Sequence, residues 1–82
     1  MQNTQKAINS FFRDNGEVEL LAHDIDDAGD PQYYGYAHYS GAFMILKVTS
    51  GTYRYYKGVG TYATSWAARA GLSYDYIFNL TY

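Results

Sequence analysis

The sequence contains no cysteine and few positive charges, six Lys and Arg against eight Asp and Glu. Without cysteine no disulfide forms, and with His23 and His38 as the only imidazoles a structural zinc site is not expected. The basic residues stand singly, so no stripe of positive charge follows a phosphate backbone, and nucleic acid is not expected as a partner. No apolar run approaches the roughly 18 residues that span a bilayer. The start, Met1 to Lys6, is polar and unlike a secretory signal, so the chain is expected to fold in a cytoplasm without membrane contact.

At 82 residues the chain suits a single domain, 1–82. A chain of this size buries only about 60% of the surface that its unfolded form exposes. With disulfide and zinc staples excluded, oligomerisation or docking into a larger assembly is the remaining common way to bury more. What the sequence has in abundance is tyrosine, eleven residues, eight of them from Tyr33 to Tyr62. Tyrosine favours the half-buried, pleated surface of a sheet and is enriched at interfaces, because it joins an apolar ring to a polar tip.

Two readings of the N-terminal segment stand side by side. Ala7, Ile8, Phe11 and Phe12 fall at helical spacing and predict a short helix over Thr4 to Asp14 capped by Thr4; alternatively residues 1–15 are an extended arm that packs Phe11 and Phe12 on a neighbouring subunit. After the Asn15-Gly16 turn signal, the alternation in Glu17 to Ala22 predicts a strand, and His23 to Pro31 a loop. Strands are predicted over Tyr33–Tyr39, Ala42–Thr49 and Thr52–Lys57, joined by two-residue turns at Ser40-Gly41 and Ser50-Gly51. Tyr62 to Ala70 reads as a helix with Thr61 as N-cap and Gly71 as stop, and Tyr74 to Phe78 as a last short strand. The expected class is mainly β, a β-rich α+β fold in which an antiparallel meander of three to five strands carries one short helix on one face.

Two-residue turns fix the register and hence the faces. One face then carries Tyr33, Gly35, Ala37, Met44, Leu46, Val48, Tyr53 and Tyr55, and is the expected core. The other carries Tyr34, Tyr36, Phe43, Ile45, Lys47, Arg54 and Tyr56, more apolar than a solvent face needs. Either the N-terminal segment or a partner covers it. In the second case Tyr36, Phe43, Ile45 and Tyr56 are interface, with Tyr34, Lys47 and Arg54 as its rim. Trp66, Arg69, Leu72 and Tyr74 are expected as structural anchors, Trp66 packing on the Met44, Leu46 and Tyr55 side, and Arg69 holding a carboxylate or helix-terminal carbonyls.

Candidate chemistry is sparse. Gly58-Val59-Gly60-Thr61-Tyr62-Ala63 has the form G-x-G-x-x-A, but a dinucleotide site needs a parallel βαβ unit and a later acidic residue, and here the strand closes an antiparallel meander. Asp24, Asp26, Asp27 and Asp30 around Gly29 approach a calcium loop, yet Ala28 stands at the fifth position and Gly35 at the twelfth, so an acidic solvated loop is expected instead. His23 and His38 have no nucleophile partner legible in the sequence, and Glu17 with Glu19 reads as an exposed strand face. No catalytic residue, metal, cofactor or small-molecule substrate is expected.

Asp26-Asp27, Tyr34-Gly35-Tyr36-Ala37, Gly41 to Lys47, Lys57-Gly58 and above all the block Trp66-Ala67-Ala68-Arg69-Ala70-Gly71-Leu72-Ser73-Tyr74, of form W-x-x-R-A-x-L-x-Y, carry a resemblance. From about Asp26 to Phe78 the chain resembles a family of small virion or tail-associated structural proteins of tailed bacteriophages and prophages. The resemblance implies a non-enzymatic structural role in a virion, assembled in the host bacterial cytoplasm from copies of itself or with other virion proteins. The competing expectation is a binding module outside the particle, such as an inhibitor of a host protein or a carbohydrate reader.

Overall fold

The computed structural model describes residues 11–14 and 18–82, with Phe11–Asp14 and Val18 described by backbone alone. Among these residues five antiparallel strands follow one another in one open sheet: β1 (Phe11–Asp14), β2 (Val18–Asp26), β3 (Gln32–Ala37), β4 (Ala42–Thr49) and β5 (Thr52–Val59), in spatial order β1-β2-β3-β4-β5. Among the described residues one short helix, α1 (Tyr62–Ala67), follows, with 3-10 turns at Arg69–Gly71 and Ile77–Asn79. The class is therefore the mainly β meander with one helix that the sequence pattern indicates.

The two central turns differ, and the difference decides the architecture. Ser50 and Gly51 both take positive φ, 49° and 81°, and Thr49 pairs with Thr52, the two-residue turn expected from Ser-Gly. At the other turn His38 N donates to Ala42 O at 2.8 Å and Gly41 N to His38 O at 2.9 Å, with Gly41 at φ 102°. That is a three-residue loop, Tyr39-Ser40-Gly41, with glycine in the position that needs positive φ. One extra loop residue slips β3 by one against β4, so Tyr33 faces Lys47 and Gly35 faces Ile45. A one-residue slip moves every side chain of a strand to the other side of the sheet.

The expected faces are accordingly re-sorted. Tyr33, Gly35 and Ala37 share a face with Phe43, Ile45, Lys47, Arg54 and Tyr56, whereas Tyr34 and Tyr36 share the opposite face with Met44, Leu46, Tyr53 and Tyr55. The helix covers the first set: Tyr33, Phe43 and Ile45 form the buried cluster, and Ala37, Tyr56, Tyr62, Trp66, Leu72 and Tyr74 pack on it. Trp66 thus packs on the Phe43 and Ile45 side of the sheet, not on Met44, Leu46 and Tyr55. Two glycines make room. A Cβ on Gly35 would collide with the Tyr62 hydroxyl and meet Trp66 Cε3 at 3.1 Å, and one on Gly58 would run into the Phe43 ring.

Other expectations are corrected at their boundaries. Residues 11–14 form a strand paired with β2, not the end of a helix; the rest of the expected helix, 4–10, and of the alternative arm, 1–10 and 15, lies outside the described residues. β2 continues through His23 to Asp26, where a loop was expected, because a register shift between Ala22 and Asp24 turns Asp24 and Asp26 toward the helix and their carboxylates find partners there. The α-helix ends at Ala67, with a 3-10 turn over Arg69–Gly71, and the Thr61 side chain makes no capping bond. Tyr74 to Phe78 is not a strand. Only Asp75 bridges to β5, through Tyr55, while Asp75 Oδ1 accepts from Tyr76 N at 2.7 Å and Asn79 Nδ2 at 3.1 Å and curls the chain into the Ile77–Asn79 turn.

Candidate functional site

The helix face is a closed structural unit. Tyr62, Trp66 and Arg69 recur at i, i+4 and i+7, which aims them at the sheet together. Tyr62 packs edge-on against Phe43, with ring centroids 5.5 Å apart and planes at 72°, and its hydroxyl donates to Asp24 Oδ2 at 2.7 Å. Arg69 donates from Nε and Nη2 to Asp26 Oδ2 at 3.2 and 3.0 Å and from Nη1 to the Trp66 carbonyl at 2.9 Å. Its guanidinium also lies 4.5 Å from the Trp66 ring centroid. Tyr74 completes the unit by donating to Arg69 O at 2.8 Å and packing on Tyr33 and Tyr56.

The electrostatics follow from these contacts. The hydrogen bond from His23 and then that from Tyr62 hold Asp24 below the ordinary carboxylate value, against the opposing effect of burial. Burial, followed by the Asp24 contact, pushes the Tyr62 phenol well up, and burial does the same to Tyr74. Tyr36 and Tyr55 are raised by burial to a lesser degree. Tyr62 and Tyr74 thus keep their protons and donate, to Asp24 and to the Arg69 carbonyl.

Of the residues expected at an interface, Phe43 and Ile45 have no exposed area at all and belong to the core. Tyr56 is packed there with them, and Lys47 and Arg54 pair with each other at the end of that same face, apart from Tyr34. The physical reason is again the three-residue turn. Phe11 and Phe12 pair in backbone with Leu21 and Leu20, and their side chains lie outside the described residues. Tyr34 and Tyr36 do stand on the face opposite the helix, half-buried, with the Tyr34 hydroxyl on Gln32 Oε1 at 2.9 Å.

That opposite face holds what the sequence reading assigned to the core. Ile25, Tyr34, Leu46 and Tyr55 are successive cross-strand partners and form one apolar row across β2 to β5, with Val48 and Tyr53 paired beside it. Ile25 is 63% and Tyr53 54% exposed, while Tyr34, Leu46, Val48 and Tyr55 are half-buried. Met44 and Leu20 are fully buried on the same side.

The acidic residues do not converge. Asp24 and Asp26 are engaged by Tyr62 and Arg69, Asp30 accepts from Ser50 N at 3.4 Å and Oγ at 3.3 Å, and among the described residues no three acidic or imidazole groups gather around a common point. His38 does meet a serine, contrary to the sequence reading: its Nδ1 lies 2.8 Å from Ser40 Oγ and accepts from Ser40 N at 3.1 Å. Both contacts lie inside one exposed three-residue turn and brace it. The Gly58 to Ala63 segment joins an antiparallel edge strand to α1, so it does not form a dinucleotide cradle. No family model, no curated protein and no solved structure matches the chain.

Proposed function

We propose that this protein is a structural subunit of a bacteriophage particle, made in the host cytoplasm, that acts by protein–protein assembly through the sheet face opposite its helix. The observation that carries the assembly reading is the apolar row of Ile25, Tyr34, Leu46 and Tyr55 with its exposed neighbour Tyr53. Leu20 and Met44 on the same side are fully buried within the chain, so the apolar area left open lies toward Ile25 and Tyr53; soluble monomers seldom leave such area open to water. The partner that fits is a second copy of the chain. From Ile25 to Tyr55 the row carries no formal charge, nor does the adjoining row of Gln32, Val48 and Tyr53, while the row on the other side, Ala22, Tyr36, Met44 and Lys57, carries its one cation at the β5 edge, so two-fold related copies can meet over the uncharged rows. Tyrosines at its centre suit such a contact, because they bring large area at low entropic cost.

The virion assignment rests on the W-x-x-R-A-x-L-x-Y block and its companions, and the geometry gives that block a structural rationale. Trp66, Arg69, Leu72 and Tyr74 are the residues that fasten the helix to the sheet. Quantitative mass spectrometry of purified particles tests the reading. A structural subunit is present at fixed stoichiometry; a host-protein inhibitor or other module acting outside the particle is absent from it.

A further inference from the structure

At the end of the helix-side face, Lys47, Thr49, Thr52, Arg54 and Tyr74 line a cleft of about 350 Å³. Lys47 is the cross-strand partner of Arg54, and Thr49 that of Thr52. Like charges directly opposite one another in a sheet are destabilising. Here the pair has no offset within the fold: among the described residues no carboxylate forms an ion pair with either, since the nearest acid of the same cross-strand row, Asp26, is held by Arg69. Both cations are instead steadied by rings. Lys47 Nζ lies 5.4 Å from the Tyr74 centroid, and the Arg54 guanidinium 4.0 Å from that of Tyr76, with Nη1 donating to Tyr53 O at 2.8 Å. The Thr49 hydroxyl is out of solvent and has no hydrogen-bond partner among the described residues.

Beside the cleft, Tyr76 and Phe78 are stacked on each other, centroids 5.2 Å apart and planes at 11°, and are 46% and 78% exposed. Two cations with no ion-pair partner among the described residues, the exposed Thr52 and the outer face of Phe78 thus stand together at one end of a small domain whose net charge is negative. A ligand that satisfies all three features carries an oxyanion for Lys47 and Arg54, a hydroxyl for Thr52, and a face of C–H groups to lie on an aromatic ring. The volume lies at the lower end of the range for small-molecule pockets.

We infer that this cleft binds a single acidic sugar residue, a pyranose bearing a carboxylate or phosphate, with the oxyanion between Lys47 and Arg54 and the ring against the tyrosines. The inference stands on the cleft alone and does not depend on the assembly reading, which concerns the other face.

Titration of the whole chain, followed by amide and tyrosine-ring NMR shifts, tests it with four probes: glucuronate, glucose 6-phosphate, inorganic phosphate and glucose. An acidic sugar is expected to saturate in the millimolar range and to shift Lys47, Thr49, Arg54, Tyr74 and Tyr76, with glucose weaker by roughly tenfold or more. Whether glucuronate or glucose 6-phosphate binds more tightly identifies the oxyanion as carboxylate or phosphate. Lys47→Gln and Arg54→Gln are each expected to weaken the better sugar acid by roughly tenfold, and raised salt to weaken it in wild type. Three results overturn the inference: no saturable shift at the cleft with either sugar acid, inorganic phosphate binding as tightly as the sugar acids without moving the tyrosine rings, or folded Lys47→Gln and Arg54→Gln variants that bind as wild type does. Should a variant fail to fold, the salt dependence and the mapped shifts of wild type decide the question.

Discussion

Arg69 places both Nε and Nη2 on a single oxygen of Asp26, at 3.2 and 3.0 Å, joining the turn after the helix to the far end of β2 across 43 residues of sequence. The same guanidinium uses Nη1 to take up the Trp66 carbonyl left over at the end of α1. One side chain therefore terminates the helix and fixes its position over the sheet.

Lysine cannot reproduce this fork, because a point charge reaches one acceptor where the planar guanidinium serves two. Arg69→Lys is expected to lower the unfolding free energy by about 1 to 2 kcal/mol, and Asp26→Asn by about 1 kcal/mol, in line with partly exposed charge-assisted bonds. Urea denaturation of the two single variants and the double variant measures the coupling. Additive losses would mean that the pair does not act as a unit.

Gly35 is where the helix comes closest to the sheet. Gly35→Ala forces Tyr62 and Trp66 to retreat and is expected to cost about 1 to 3 kcal/mol, the usual range for overpacking a core. Gly71→Ala is its control, since a Cβ there meets nothing within 4 Å. A thermal melt in which both variants resemble wild type would show that α1 does not sit where it is described.

Stability should fall at both ends of the pH scale, for separate reasons. Asp24 has a lowered native pKa, so its contribution is full above the ordinary carboxylate value of about 3.9 and is lost as pH falls through the depressed native value. Tyr36, Tyr55, Tyr62 and Tyr74 have raised native pKa values, so their contribution is full below the ordinary phenol value of about 10 and is lost as pH rises above it. Ultraviolet titration of the phenolates is expected to show a late-ionising group of tyrosines that ionise together with unfolding. Tyr62→Phe should make the acid limb shallower, because it removes one of the hydrogen bonds that depress Asp24.

Much of the meander was legible because its turns are short and its strands alternate. The β4–β5 register followed from Ser50-Gly51, where two consecutive residues accept positive φ. The β3–β4 register did not, because Ser40-Gly41 serves equally well as a two-residue turn or as the last two residues of a three-residue one. Glycine in the left-handed region is common to both, and only the closing pair, His38 with Ala42, separates them. That single residue turned Phe43 and Ile45 from interface into core and moved Leu46 and Tyr55 to the opposite face. The roles of Asp24 and Asp26 were hidden differently. Acidic residues near glycine and proline read as loop, and nothing local reveals that a shift at His23 aims them at partners far along the chain. The i, i+4, i+7 spacing of Tyr62, Trp66 and Arg69 was the one available signal of where those carboxylates go.

Self-association through the face opposite the helix is measured most directly by sedimentation velocity on wild type and on the double variant Ile25→Glu/Tyr53→Glu, which alters two exposed side chains and leaves the core untouched. Wild type is expected to sediment as a dimer or larger species whose population rises with concentration, and the variant as a folded monomer whose melting temperature matches that of wild type at high dilution. A wild type that stays monomeric at high concentration, or a variant that keeps the wild-type mass, would contradict assembly through this face; a monomeric wild type whose variant melts much lower would show that the face is covered from within the chain itself.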